Sequence, residues 1–347
     1  MREANAWGPT PGFLLTLASQ AGYNARVLSN ATPLKSAAPI SKEDLCGIFL
    51  PITTPFLEEG AIDFRGLHSN IEKWNATGIR GYVLLGSTGE RVNLSESEQL
   101  EVFREARTSV ANDCVFIAGV GQQSTFATIR EIEKLTRLVD IDALLIITPH
   151  FYRAAITQEA LVAHYTAIAD ESELPIILYS MPALTGIKIE PQTAATLSHH
   201  PKIIGIKDSS NDIDGLRRTI ELCAKDFAVL TGNGTVLHEA FAAGACGAIL
   251  AVGCVAPVLC LEISRAMLAG ERDRAEDLQK SLTPLAAAVT TRFGLGGLKA
   301  ALDMIGYTGG QTRPPLAPAD GQARAEIKSC LDQALDSASP LANVRLG

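Results

Sequence analysis

Aromatic residues make up only 5% of the 347 positions, while Ala, Gly, Ile, Leu and Val abound. That balance suits helices packed on a parallel sheet better than a β-sandwich. Basic charge is in deficit too: 30 Lys and Arg stand against 38 Asp and Glu, and the formal net charge of −8 leaves no electrostatic footprint for nucleic acid. No apolar run reaches the ~20 residues a membrane-spanning helix needs. The longest, from Ala245 to Pro257, is broken by glycines and a proline, so no membrane partner is expected. The seven cysteines (46, 114, 223, 246, 254, 260 and 330) form no CxxC pair and no zinc-site spacing. Several lie in apolar runs such as "CVFIAGV" and "ACGAILAVGC", where a reduced thiol acts as a small hydrophobe; the expected compartment is reducing and intracellular, cytoplasm or mitochondrion. A P-loop is missing, and the six histidines show no HxxxH or paired carboxylate of a metal cage; no metal or organic cofactor is expected.

The first 45 residues differ in texture, with Gly, Pro, Ser, Ala and Asn scattered among few charges. Through residue 40 these are Arg2, Arg26 and Lys35 against a single acid, Glu3. An organelle transit peptide has this composition, and so does a disordered tail; a flexible extension over 1–45 is expected.

From Cys46 onward, short aliphatic runs alternate with amphipathic segments. "GIFLPITTPF", "GYVLLG", "CVFIAGV", "ALLIITP", "LPIILYS", "KIIGIKD", "FAVLTG" and "CGAILAV" are brief and lack polar alternation, as strands buried on both faces do. The intervening segments carry apolar residues at three- and four-residue spacing, and Asp63, Ser95 and Ser124 stand at N-cap positions. Eight such units predict an α/β fold, a (β/α)8 TIM barrel over 46–270. A doubly wound sheet is the alternative, but no GxGxxG follows the first strand. The similar "FGLGGLK" follows a helical segment and reads as a helix-helix turn. Residues 271–347 are helical only, with a last helix from about Pro318 to Ser337; they form a C-terminal helical appendage in which "GYTGGQTRPPLAP" reads as a tight connection.

The sixth strand candidate ends on a cation. In "IIGIKDSS", residues 203–210, strand parity puts Ile203, Gly205 and Lys207 on one face and Ile204 and Ile206 on the other. With the isoleucines towards the helices, Lys207 projects into the barrel at the carboxyl end of the strand, where barrel enzymes carry their chemistry, above a glycine that leaves it room. A lysine there is ordinarily the first solvated residue after a strand. Held in a poorly solvated pocket, its amine is instead a nucleophile able to form a Schiff base with a ketone. Neighbouring strand ends supply what that chemistry needs. Tyr179, closing "PIILYS", can relay protons, although a tyrosine at a strand end is more often packing. "GSTGE", residues 86–90, offers backbone amides and the Ser87 and Thr88 hydroxyls to a carboxylate, a weak motif by itself. "TGNG", residues 231–234, is a comparable turn that reads as structural.

Together "PITTPF", "GSTGE", "TPHFYR", "LYSMPALTG", "IIGIKDSS" and "GYTGGQTRPPL" resemble, in order and spacing, the dihydrodipicolinate synthase / N-acetylneuraminate lyase superfamily of class I aldolases, from about Cys46 to the last helix. "LYSMPALTG", "LSHHPKIIGIKDSS" and "AAAVTTRFGLGGLK" look most like 4-hydroxy-2-oxoglutarate aldolase. The resemblance implies a (β/α)8 barrel with C-terminal helices, a homotetramer built as a dimer of dimers, and no cofactor. It matches Lys207 to the Schiff-base lysine, Tyr179 to the proton-shuttling tyrosine, Ser87 and Thr88 to the pair that binds the 2-oxo acid carboxylate, and Ser209 to a serine beside the lysine.

Two positions depart from the pattern. Where dihydrodipicolinate synthases carry an arginine for the aldehyde's carboxylate, this chain has Leu184. Losing such a charge-assisted contact costs about 1.5–3 kcal/mol, which argues against dihydrodipicolinate synthesis. Where many relatives have a tyrosine that completes a relay from the neighbouring subunit, this chain has Phe151, with Tyr152 displaced by one. The expected reaction is therefore cleavage of a 4-hydroxy-2-oxo acid, such as 4-hydroxy-2-oxoglutarate, to pyruvate and an aldehyde such as glyoxylate. The alternatives are an aldolase for a 2-keto-3-deoxy sugar acid, a dihydrodipicolinate synthase-like enzyme, and, from another class, a non-catalytic relative that binds a 2-oxo acid.

Overall fold

The computed structural model describes residues 40–342. Most of the expected N-terminal extension, residues 1–39, lies outside the described residues, and with it the question of a transit peptide. Eight strands run β1 (Gly47–Pro51), β2 (Gly81–Leu84), β3 (Val115–Val120), β4 (Ala143–Ile147), β5 (Ile176–Ser180), β6 (Ile203–Asp208), β7 (Ala228–Thr231) and β8 (Gly247–Ile249). Each pairs in parallel with the next, and β8 returns to β1 through Gly47 opposite Gly247, so the sheet closes into a barrel with no free edge. This is the (β/α)8 TIM barrel that the sequence predicts.

The barrel has two apolar layers because each strand is buried on both faces. Phe49, Val83, Ile117, Leu145, Ile177 and Leu230 fill the inside. The outward side chains, such as Leu50, Leu84, Phe116 and Ile146, join the core beneath the helices. Those helices are α1 (Phe64–Asn75), α2 (Glu96–Ser109), α3 (Thr125–Thr136), α4 (Gln158–Glu171), α5 (Pro191–Leu197), α6 (Ile213–Leu222), α7 (Leu237–Ala243) and α8 (Pro257–Leu268). All three anticipated N-caps are in place: the side chains of Asp63, Ser95 and Ser124 accept from the amides of Gly66, Glu98 and Ala127. Glu98 reaches back to the Ser95 amide and completes a capping box. On α1, Leu67, Ile71 and Trp74 follow at four- and three-residue spacing and are fully buried, and the Trp74 indole donates to the Cys254 carbonyl at 3.0 Å.

Strand β6 departs from simple alternation. Its register against β5 shifts between Ile176 and Ile177, whose partners are Ile203 and Gly205. One extra residue on β6 therefore flips the parity upstream: Ile203 joins the outer core and Ile204 packs against the inner one, the reverse of the sequence expectation. From Gly205 onward the alternation holds, and Ile206 faces the helices.

Among the described residues, three α-helices follow the barrel: α9 (Arg272–Ala287), continued by a π-helical turn over Ala288–Arg292, α10 (Gly294–Met304) and α11 (Gly321–Ala342). The helix-helix turn read in "FGLGGLK" is confined to its first two residues, Phe293 and Gly294, the latter with φ of 56°, and residues 294–299 already form the first turns of α10. The other two glycines serve contact, because a Cβ on Gly296 would collide with the Ala317 carbonyl and one on Gly297 would lie 2.6 Å from Phe293 Cβ. The last helix begins three residues later than the sequence pattern indicates, after Pro318–Asp320, of which Pro318 and Asp320 are exposed and Ala319 packs against the core. Among the described residues, no helix is long and apolar enough to cross a membrane.

Candidate active site

Strand register brings the two principal candidates together. β5 and β6 are paired with Tyr179 opposite Lys207, at the carboxyl ends of both strands. Each side chain is 4% exposed. The Lys207 amine lies 4.2 Å from the centroid of the Tyr179 ring. After β2, "GSTGE" folds into a short 3-10 turn over Ser87–Gly89, and Ser87 Oγ shares a hydrogen bond of 3.3 Å with the Tyr179 hydroxyl. Thr88 occupies the same turn, half-buried.

Burial alone would raise the Tyr179 phenol above its usual range, since a phenolate is poorly solvated there. The charge of Lys207, with hydrogen bonds from Ser87, Ser209 and Lys207, outweighs that penalty and leaves the phenol below its ordinary value of 10.0. Ser209 follows β6, with its amide donating to the Ser180 carbonyl at 3.0 Å. An amine, a phenol and two hydroxyls thus form one hydrogen-bonding group, the requirement for moving a proton to and from a centre bonded to the amine.

The room for the lysine comes from a glycine that the sequence reading took as structural. A Cβ on Gly205 would press on Ala228 of β7, at 2.7 Å from its carbonyl oxygen. On Gly232, in "TGNG", a Cβ would overlap Ser209 Oγ and stand 2.8 Å from Lys207 Cε. Gly232 is therefore the residue whose missing side chain admits both groups. The Gly232 amide donates to the Asp208 carbonyl at 2.6 Å and sets that approach.

A cavity of about 290 Å³ opens over the site, and Ser87, Tyr179, Leu184, Thr185, His150 and Leu295 stand in its wall. Leu184 sits on a one-turn helix, Pro182–Thr185, directly after β5, and is 62% exposed at the rim. His150 was passed over in the sequence because it pairs with no other ligand-type residue; its place just after β4, in "TPHFYR", was the signal. Phe151 and Tyr152 stay outside the hydrogen-bonded group: they are 73% and 72% exposed and stack edge to face, with centroids 5.1 Å apart. The side chain of Gln123 fixes this loop by accepting from the amides of His150 and Phe151, both at 2.8 Å. Arg153, next in the loop, packs across Gly186: a Cβ there would lie 2.9 Å from Arg153 Cδ and 3.0 Å from Nη1. A guanidinium therefore stands two residues beyond Leu184.

A family model described as the dihydrodipicolinate synthetase family matches residues 44–334. The chain belongs to this family. It is 35% identical over 294 residues to a 4-hydroxy-tetrahydrodipicolinate synthase of Methanothrix thermoacetophila, a match covering 84% of this chain and 97% of the relative. A synthase of the same name from Ruegeria pomeroyi is 34% identical over 283 residues, covering 82% and 96% of the two chains. Among solved structures, the chloride-inhibited dihydrodipicolinate synthase from Acinetobacter baumannii complexed with pyruvate superposes with a TM-score of 0.79 at 30% identity, covering 84% of this chain and 99% of that one. A prophage protein of the dihydrodipicolinic acid synthase family from E. coli K12, also in complex with pyruvate, gives a TM-score of 0.77 at 28% identity, covering 83% and 98%. As a member of this dihydrodipicolinate synthetase family, the chain is a class I aldolase-type enzyme. The sequence motifs placed it nearest 4-hydroxy-2-oxoglutarate aldolase. These relatives carry the synthase name instead and favour the dihydrodipicolinate synthase-like alternative.

Proposed function

We propose that Lys207 forms an imine with the ketone of pyruvate and that the chain makes a carbon-carbon bond between the resulting enamine and an aldehyde. The buried contact of Lys207 with Tyr179 and, through it, Ser87 is the observation that carries this reading. The Lys207 amine adds to C2 of the 2-oxo acid, and loss of water gives the imine. The Ser87 and Thr88 turn holds the C1 carboxylate. Loss of a C3 proton gives the enamine, whose C3 attacks the aldehyde carbon, and Tyr179 delivers a proton to the new alkoxide oxygen. Water then hydrolyses the imine and frees Lys207. Run backwards, the same steps cleave a 4-hydroxy-2-oxo acid: Tyr179 takes the C4 hydroxyl proton as C3–C4 breaks, the aldehyde departs, and the enamine is protonated and hydrolysed to pyruvate.

The names of the relatives support condensation with a carboxylated aldehyde, and the exposed Arg153, packed on Gly186 two residues beyond Leu184, offers a guanidinium for that carboxylate. Leu184 supports a second reading, cleavage of 4-hydroxy-2-oxoglutarate or of a 2-keto-3-deoxy sugar acid, because it puts an apolar side chain where that arginine is expected. A panel of aldehydes with pyruvate, compared by kcat/KM, separates the two. Under the first reading, Leu184→Arg raises kcat/KM for carboxylated aldehydes about tenfold, the equivalent of one charge-assisted contact of roughly 1.5 kcal/mol. A carboxylated aldehyde larger than glyoxylate as the best acceptor supports the first, whereas glyoxylate, the smallest carboxylated aldehyde, or a sugar-derived aldehyde as the best acceptor supports the second. Pyruvate binding with no turnover of any acceptor identifies a non-catalytic relative and overturns both.

We also propose a homotetramer. Phe151, Tyr152 and Leu184 are large apolar side chains exposed on the segments that follow β4 and β5, a surface of the kind that a second subunit covers.

A further inference from the structure

The C-terminal helices contain a buried ion pair that reaches the carboxylate-binding turn. Lys299, on α10, is 1% exposed, and its amine lies 2.5 Å from Glu90, itself 2% exposed and the last residue of "GSTGE". Burial pushes the Lys299 amine down, and the Glu90 carboxylate opposes that fall. The same amine donates to the carbonyls of Thr54 at 2.8 Å and Gln311 at 2.6 Å. Thr54 carries the link onward, because its hydroxyl donates to the Gly89 carbonyl at 2.7 Å. Lys299 is thus tied to the turn by two routes, one ionic through Glu90 and one through Thr54.

The connection "GYTGGQTRPPL" completes the arrangement. Gly309 lies so close to the Lys299 backbone that no Cβ fits between them. Beyond it the Arg313 amide donates to the other Glu90 oxygen at 3.2 Å. The Arg313 guanidinium donates to the Gly60 and Asn93 carbonyls at 2.7 and 2.9 Å, and it pairs with Glu98 at 2.5 Å. Lys299 and Arg313 lie on the Phe56 ring at 4.5 and 4.4 Å from its centroid.

The turn needs such support. Leu85 and Glu90, at its two ends, have φ of 53° and 55°, the left-handed region that side chains with a Cβ enter only under constraint. Strain of this kind persists where surrounding contacts over-determine it, and at Glu90 those contacts are Lys299, Arg313 and the Asn93 side chain, whose Nδ2 donates to the carboxylate at 3.1 Å.

We propose that Lys299 and Arg313 are positioning residues for the 2-oxo acid: by holding Glu90 in its left-handed conformation they set the geometry with which Ser87 and Thr88 receive the substrate carboxylate. The inference rests on the carboxylate-binding role given to that turn under the proposed function. The C-terminal helices then act in substrate selection as well as in packing.

The test compares pyruvate with its neutral amide, pyruvamide, by borohydride trapping on the intact protein over a range of ketone concentrations, with mass readout at Lys207. Lys299→Met, and the double variant Glu90→Gln/Lys299→Met that leaves no buried charge unpaired, should raise the half-saturating pyruvate concentration roughly tenfold to a hundredfold. Pyruvamide should label as in the parent, and Lys299→Arg should recover part of the loss. A folded variant of either kind that saturates with pyruvate as the parent does overturns the proposal, as does an equal loss for both ketones. Absence of any pyruvyl adduct on the parent protein overturns the functional reading itself, and the inference with it.

Discussion

At the level of single residues, the proposed chemistry rests on Lys207 and Tyr179 being buried against each other. The lysine was legible in the sequence because a cation closing an aliphatic strand of a parallel barrel must leave the sheet at its active face. What the sequence did not show is that Gly232, on a different strand end, makes the space for it: that depends on β7 approaching β6, which no local pattern records. Because the phenol of Tyr179 is held below 10.0, its base form becomes available at lower pH than that of a free tyrosine. In the cleavage direction kcat/KM should therefore climb with pH and reach half its plateau below pH 10.0. Tyr179→Phe should remove that limb and lower kcat by roughly 10²–10⁴, the usual contribution of a general acid-base group. A pH profile measured on both proteins checks this; an unchanged limb in the variant assigns the proton transfer to another group.

Among the elements, strands and caps were the easiest to read and β6 the hardest. Hydrophobic runs mark strand existence well, and Asp63, Ser95 and Ser124 are side chains whose local hydrogen bonds are encoded within three residues. The extra residue in β6 was invisible because a bulge is defined only against a partner strand. "FGLGGLK" misled in part for a related reason: Gly294 does sit at a turn, but Gly296 answers to the Ala317–Ala319 segment and Gly297 to Phe293. The α2 N-terminus gives a prediction at this scale. The Arg313 guanidinium hydrogen-bonded to Glu98 holds its carboxyl at about 2, against an ordinary 4.5. Between those values the unfolded chain takes up a proton that the folded chain refuses, so this contact stabilises the fold above pH 4.5 and is lost as pH falls towards 2. Glu98→Gln should lower the urea midpoint at pH 7 and differ progressively less from the parent through that acid window. A constant difference at all pH values contradicts the assignment.

For the whole molecule, the order of eight strand-helix units was fixed by periodicity, while the role of the C-terminal helices was not. The sequence presents "GYTGGQTRPPL" as a connection; only the closed barrel brings its Gln311 and Arg313 to Lys299 and Glu90, which come from segments far apart in the chain. The exposed Phe151 and Tyr152 belong to this scale as well. Sedimentation should give the mass of four chains, and Tyr152→Arg should shift it towards smaller species; a monomer in the parent protein contradicts the proposed assembly.

Borohydride reduction of the protein in the presence of pyruvate, followed by peptide mapping, tests the central claim most directly. One reduced pyruvyl group is expected, on Lys207, and none in Lys207→Ala. An unmodified Lys207, under conditions that label a relative from the same family, would contradict it.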